Sequence, residues 1–373
     1  MLEIGSWTLR ATSNIQPPIS NFQWYAMTEQ TTTKNNARAL NDFVWAIAPV
    51  VIGLILTTLA LIAIGADPAK AYATMWNGAF GNPEKLSGVL DAWVPLVLCS
   101  VGLLITFTAG LWNIGIEGQI VMGAIFASWV ARTINLPAEI LIPVLLVAGM
   151  IGGALWALLA GALKVYGRVH EIFGGLGLNF VAMGIALYLI IGPWKREGIA
   201  STSGTEPFPL PANLINFPGL SVGPIEIVIA FVALALVYFA LRGTLWGLKL
   251  KAIGKNTRSA FWLGIPTSRY MLGAFALCGA LAGIAGAEQA AGVWARLIPS
   301  ISGGYGYLSI LVVLLSNFYA LAVPFVAFFF AALAKGSVSL PLDLQIDSAL
   351  GGVLQGIIVL LVVLAQGVRA KFR

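Results

Sequence analysis

A carboxylate and two amides stand where hydrocarbon side chains are expected. The stretch GLWNIGIEGQIVMGAIF (110–126) is apolar apart from Asn113, Glu117 and Gln119. Asn113 and Glu117 are four residues apart, so a continuous helix would put them on one face and point Gln119 elsewhere. A carboxylate inside a membrane span costs about 2.5–3.5 kcal/mol or more unless it is paired or hydrated. Two readings stand. The three side chains line or hinge a translocation pathway, or Glu117 caps a helix start and ties two helices together by hydrogen bonds. Gly110, Gly115 and Gly118 suit either, because glycine permits a chain break or a close approach of backbones.

Other polar residues lie in apolar surroundings. Glu288 and Gln289 occur in LAGIAGAEQAAG (281–292), where Ala282, Gly286 and Ala290 recur every four residues, a spacing that favours helix packing. A gate or substrate contact at Glu288 is the alternative. Asn179 in GGLGLNFVAMG reads as interhelical glue rather than as a ligand contact. Tyr305 and Tyr307 fit an aromatic belt or the stacking of a planar ligand equally well. Trp7 and Trp194 read as tail or interface anchors. His170, the only histidine, lies at a basic loop edge and makes neither a catalytic nor a metal site by itself.

The elements that must carry these residues are membrane helices. The chain has 373 residues, is 59% hydrophobic and 10% charged, and its mean hydropathy is +0.90. Soluble domains are about 45–50% apolar and about 25% charged. Cys99 and Cys278 lie in apolar runs and read as small core hydrophobes, with no disulfide framework. Apolar runs long enough to span occur at 43–65, 89–110, 111–132, 138–163, 171–192, 224–241, 270–291, 304–318, 320–335 and 348–366. The expected fold is therefore an all-α integral membrane protein of about ten transmembrane helices. The third and eighth runs open on polar, glycine-rich stretches, and the second and third have no loop between them.

Charge orients the chain. Residues 242–269 hold six Lys/Arg and no acid, the link LKVYGRVHE (163–171) holds Lys164 and Arg168, and the end adds Arg369, Lys371 and Arg373. The positive-inside rule puts all three in the cytoplasm. Ten spans with both termini cytoplasmic satisfy this, and leave the Pro/Gly-rich 193–223 loop outside. Residues 1–42 form an N-terminal extension, too long and too acidic for a cleaved leader. They are expected to be a cytoplasmic tail with a short surface helix around Asn21–Met27. The permease domain follows at 43–366, with a basic tail at 367–373. LWNIGIEGQ and SGGYGYLS (302–309) open spans five apart, which hints at an inverted repeat.

The 242–269 loop is too long for a tight turn and too apolar to be freely solvated. A short amphipathic helix docking into another protein explains it; binding to anionic lipid is the alternative. The chain lacks G-x-x-x-x-G-K-S/T, a zinc-type cluster and a Ser/His/Asp or Cys/His set. No train of charged residues runs through the spans, as ion-coupled carriers often have. These absences point to an engine held by a partner. The net charge of +6 does not point to nucleic acid.

N-I-G-I-E-G-Q at 113–119 resembles the signature of nucleoside-type ABC-importer permeases, a branch of the ribose, simple-sugar and branched-chain amino-acid permease group. AIGKNTRSAFWLGI (252–265) is similar to that family's cytoplasmic loop at Ala252, Gly254, Asn256, Ala260, Gly264 and Ile265. VHEIFGGLGLNFVA (169–182) and LAGIAGAEQAAGVWARLIPSISGGYGYLSILVVLL (281–315) resemble further family stretches. The acid at Glu288, one position before the family's usual place, VWAR (293–296) and SNFYA (316–320) depart from the pattern.

The resemblance implies a type II importer-like permease in the bacterial plasma (inner) membrane. It would pair with a second, homologous permease chain, cytoplasmic ABC ATPase subunits and an extracytoplasmic substrate-binding protein. It would hold no cofactor, ATP being used by the partners, and would not itself be an enzyme. Ala252, Gly254, Lys255, Asn256, Ala260, Gly264 and Ile265 would form the ATPase-coupling segment. Asn113, Glu117, Gln119, Asn179, Glu288, Gln289 and Tyr305 are the candidate pathway residues. The expected cargo is a nucleoside or nucleobase compound, with a simple sugar as the alternative. An ion-coupled secondary transporter and a membrane scaffold that transports nothing are the rival classes.

Overall fold

A computed structural model describes residues 51–63, 65–196, 203–209, 220, 222–345, 347, 349, 351–357, 360–361 and 364. The N-terminal extension, the start of the first span, the basic tail and parts of the 193–223 loop and the tenth run lie outside the described residues.

Helices account for the described chain, and no strand occurs in it. α1 is Val51–Ala63 and meets α2 (Pro68–Phe80) at a bend of 116°. The long elements are α3 (Pro83–Thr108), α4 (Ile116–Thr133), α5 (Ala138–Val165), α6 (Glu171–Ile191) and α7 (Pro224–Gly243). α8 (Leu245–Lys255) and α9 (Thr257–Trp262) form the basic loop and lead into α10 (Thr267–Glu288). α11 (Tyr305–Leu315), α12 (Val323–Ser337) and α13 (Leu340–Leu344) follow.

Starts and stops follow local chemistry. Asn82 caps α3 by accepting from Lys85 N at 2.7 Å, with Pro83 in the first turn, where its missing N–H costs nothing. Thr244 caps α8 and Asn256 caps α9 in the same way. Gly264, at φ +78°, ends that hairpin in the left-handed region.

Six segments among the described residues are long and apolar enough to cross a membrane, or seven if α1 and α2 form one bent span. Ten full crossings are not found among the described residues. α11, with 11 residues, reaches about 16 Å at 1.5 Å per residue, roughly half of a hydrocarbon core of about 30 Å. α4, with 18 residues, is nearly all buried and carries Glu117 and Gln119 in its first turns.

α10 is the hub, packed against α5, α4 and α3. Without a hydrophobic force between helices in lipid, close backbone contact must hold them. Gly283 provides it: a Cβ there would collide with the Gly149 carbonyl on α5, while Gly123 on α4 lies against its other side. α6 and α7 turn Phe173, Phe180, Phe231, Leu236 and Phe239 outward, as lipid-facing helices do.

Candidate functional site

α3 does not run on into α4. After Thr108 the chain turns at Gly110 (φ +73°), Leu111 N donates to Thr106 O at 2.9 Å, and helix resumes at Ile116. Asn113 therefore lies in the break, and the face expected to be shared by Asn113 and Glu117 is not formed. Gln119, expected to point away, is Asn113's partner. Asn113 Nδ2 donates to Gln119 Oε1 at 3.0 Å and Gln119 Nε2 donates to Asn113 Oδ1 at 2.9 Å. Asn113 Nδ2 also reaches Cys278 Sγ on α10 at 3.1 Å.

A helix start leaves main-chain N–H groups without partners, and in a membrane interior water cannot supply them. Asn179 on α6 fills that need: its Oδ1 accepts from Gly118 N at 2.8 Å. Its Nδ2 donates to Ile114 O at 3.0 Å and to the Tyr307 hydroxyl at 3.2 Å. Glu117 serves the second broken element. Its Oε1 accepts from Gly304 N at 3.1 Å, just before α11. Gly303 and Gly304 have φ +55° and +74°, which bends the chain into that contact. A Cβ on Gly306 would overlap Glu117, so the helix starts meet backbone to carboxylate. A carboxyl group between two helix N-termini faces the partial positive charge of both.

The structure thus brings Asn113, Glu117, Gln119 and Asn179 into one buried polar joint linking α4, α6, α10 and α11, with the Tyr307 hydroxyl reaching it from the more exposed side. Asn113, Glu117, Gln119 and Asn179 are each at most 1% exposed. Tyr305 is buried beside the joint, its ring against Gly303. Among the described residues no group of three or more His, Cys, Asp or Glu is placed to hold a metal ion. The arrangement can hinge or gate; it offers no reacting pair.

Glu288 and Gln289 lie apart from the joint. α10 passes there into a π-turn, Gln289–Val293, and Gln289 Nε2 donates to Glu288 Oε2 at 2.9 Å. Glu226 on α7 lines one small cavity with Glu288, and Asp91 on α3 is also buried; sequence reasoning missed both acids. Glu226 reads as an ordinary helix cap, which half of it is: Oε2 accepts from Gly223 N at 2.7 Å.

In the basic loop, Gly254, Lys255, Asn256 and Gly264 are exposed and Ala252 and Ile265 half-buried, but Ala260 is only 1% exposed. Ala260 holds the hairpin in place: its carbonyl accepts from Ile265 N at 3.1 Å. The outward apolar surface is its neighbours Phe261, Trp262 and Leu263, the last two 76% and 78% exposed. Gly254 lies directly on the break, where a Cβ would strike the Thr108 carbonyl, and Gly110 faces Gly254 in return.

The family described as branched-chain amino acid transport system / permease component matches residues 85–363. The glucose ABC transporter permease protein TsgB13 of Haloferax volcanii is 30% identical over 83% of this chain and 83% of its own length. The guanosine ABC transporter permease protein NupP of Bacillus subtilis is 26% identical over 89% of this chain and 96% of its own. The nucleoside ABC transporter permease protein NupB of Lactococcus lactis is 24% identical over 79% and 83%.

Proposed function

We propose a function from one premise: the chain belongs to the family of branched-chain amino acid transport system permease components. It is an ABC transporter permease and a multi-pass membrane protein. Beyond that, we read it as one half of an ATP-driven importer in the bacterial plasma membrane, taking up nucleosides or related nucleobase compounds. Its partners are a second homologous permease, cytoplasmic ATPase subunits that use the ATP, and an extracytoplasmic binding protein. Both termini lie in the cytoplasm, and the two glycine-rich entries mark the two halves of an inverted repeat. Relatives named for guanosine and nucleosides support the cargo. The relative named for glucose supports simple sugars as the second reading.

The observation that carries the mechanism is the contact of Gly254 with Thr108 and Gly110. It ties the exposed docking loop to the break, and the break to the joint at Asn113, Gln119, Asn179 and Glu117. An ATPase pushing on α8 and α9 would move the end of α3 and, through Glu117, the start of α11. Nothing in the chain reacts; it supplies two arrangements of one pathway.

The docking surface is Phe261, Trp262 and Leu263. Trp262→Asp puts a charge on an exposed apolar contact without touching the core, and such central aromatic contacts carry about 2 kcal/mol or more of binding. The ATPase recovered with the tagged chain from detergent extracts is expected to fall at least about tenfold. Recovery equal to wild type, or no ATPase in either sample, would sink the coupling role and move the ion-coupled carrier ahead.

A further inference from the structure

Besides Glu117 Oε2 in the joint, two buried glutamate oxygens find no hydrogen-bond donor among the described residues. They are Glu226 Oε1 on α7 and Glu288 Oε1 on α10. Both residues are at least 97% buried, at 3% and 2% exposure. Both line one cavity of about 10 Å³, room for about one water, with Val94, Leu98, Ile229 and Ile284 among its apolar walls. A buried acceptor without a donor is costly, and two on facing helices in an apolar pocket are costlier still. The partner oxygen of each is already committed, Glu226 Oε2 to Gly223 N and Glu288 Oε2 to Gln289 Nε2.

From this arrangement we infer that Glu226 and Glu288 form a subsite for the hydroxyl groups of a polyhydroxylated solute, the sugar ring that nucleosides and simple sugars share. This inference rests on the transport function proposed above. Ring hydroxyls are neutral donors, and neighbouring ones can reach two carboxylate oxygens at once. The same subsite serves a glucose or a nucleoside cargo, because it reads the sugar and ignores the base.

At water size the cavity is too small for a solute, and the fold indicates what enlarges it. α7 packs mainly on α3 and on α8, into which it leads directly. Its far end carries Glu226; its near end, at Arg242, enters the docking loop. A push on α8 therefore tilts α7 and parts Glu226 from Glu288. The solute enters as the helices separate and leaves when they close.

The test uses the native host with the chromosomal copy carrying Glu226→Gln, Glu288→Gln, or both. Uptake of labelled guanosine and of 2′,3′-dideoxyguanosine is compared, with chain abundance in the membrane measured alongside. Glutamine keeps the size of the side chain and its capping bond, so folding is preserved. Wild type is expected to prefer guanosine, and each variant to lower that preference about tenfold, through KM rather than maximal rate. The binding protein is unchanged in every strain, so the loss of preference belongs to the permease. A variant that fails to accumulate is replaced by Ile229→Phe, which fills the cavity and is expected to raise KM for guanosine. Wild-type uptake with unaltered preference and KM in the variants overturns the subsite alone. A deletion strain that takes up guanosine and glucose as fast as wild type overturns the functional reading and the subsite together.

Discussion

Gly254→Val is expected to cut solute uptake on the order of 100-fold while the ATPase remains bound. The expectation follows from what a side chain would meet. At Gly254 it would run into the Thr108 carbonyl, and Gly110 is packed against the same residue. These are main-chain atoms, so no rotamer change relieves the overlap; α8 must shift or the end of α3 must move. Overpacking of this kind costs about 1–3 kcal/mol. Placed on one of two alternating states, such a penalty changes their ratio by about 5- to 150-fold. Phe261, Trp262 and Leu263 point outward on the other arm of the hairpin, so docking survives and transport is lost. ATP hydrolysis that continues without uptake, measured in proteoliposomes of the whole transporter, is the signature. Gly273→Ala is the control: nothing lies within 4 Å of its added Cβ, and uptake should stay within about twofold of wild type. Uptake by Gly254→Val within twofold of wild type would show that motion does not pass through this contact.

The long helices were legible because hydrophobicity and punctuation agree there. The runs at 138–163, 171–192 and 224–241 became Ala138–Val165, Glu171–Ile191 and Pro224–Gly243, each bounded by Pro, Gly or a basic end. α2 was not legible, since PAKAYATMWNGAF mixes small, polar and aromatic residues and passes for a loop. The polar stretch at 113–119 was singled out, yet its geometry was lost by starting the helix at 111 rather than at Ile116, past the turn at Gly110. The glycine was the available signal; only its positive φ turned a shared face into a paired-amide turn. Ala260 shows a different limit. A short apolar hairpin has two faces, and composition alone does not say which one meets its own protein. Glu226 was hidden because its significance is long-range: it lies far from Glu288 in sequence, and only the fold sets both on one cavity.

Glu117 distinguishes a structural joint from a pathway wall, and substitution separates the two. Glu117→Ala removes the acceptor of the half-buried Gly304 N–H and leaves that donor without its protein partner, a loss of up to about 1–3 kcal/mol. It also empties space between two helix starts, which adds a cavity penalty. Uptake is therefore expected to fall by about 10- to 150-fold, with less complex recovered from the membrane. Glu117→Gln keeps an oxygen that can accept from Gly304 N–H and gives up only the charge. If Glu117 is a joint, glutamine restores most of the uptake and all of the assembly, because favourable interaction of a charge with a helix N-terminus is worth only about 0.3–1 kcal/mol, up to about 2 in buried geometry. If the negative charge itself guides the solute, glutamine fails as badly as alanine in uptake while assembling normally. The buried hydrogen-bonded geometry, with Glu117 1% exposed, favours the first ordering: wild type, then glutamine, then alanine. Alanine that leaves both uptake and assembly intact would remove Glu117 from either role. The two half-helices would then have to be coupled through Asn179, which accepts from Gly118 N on α4 and donates to the Tyr307 hydroxyl on α11.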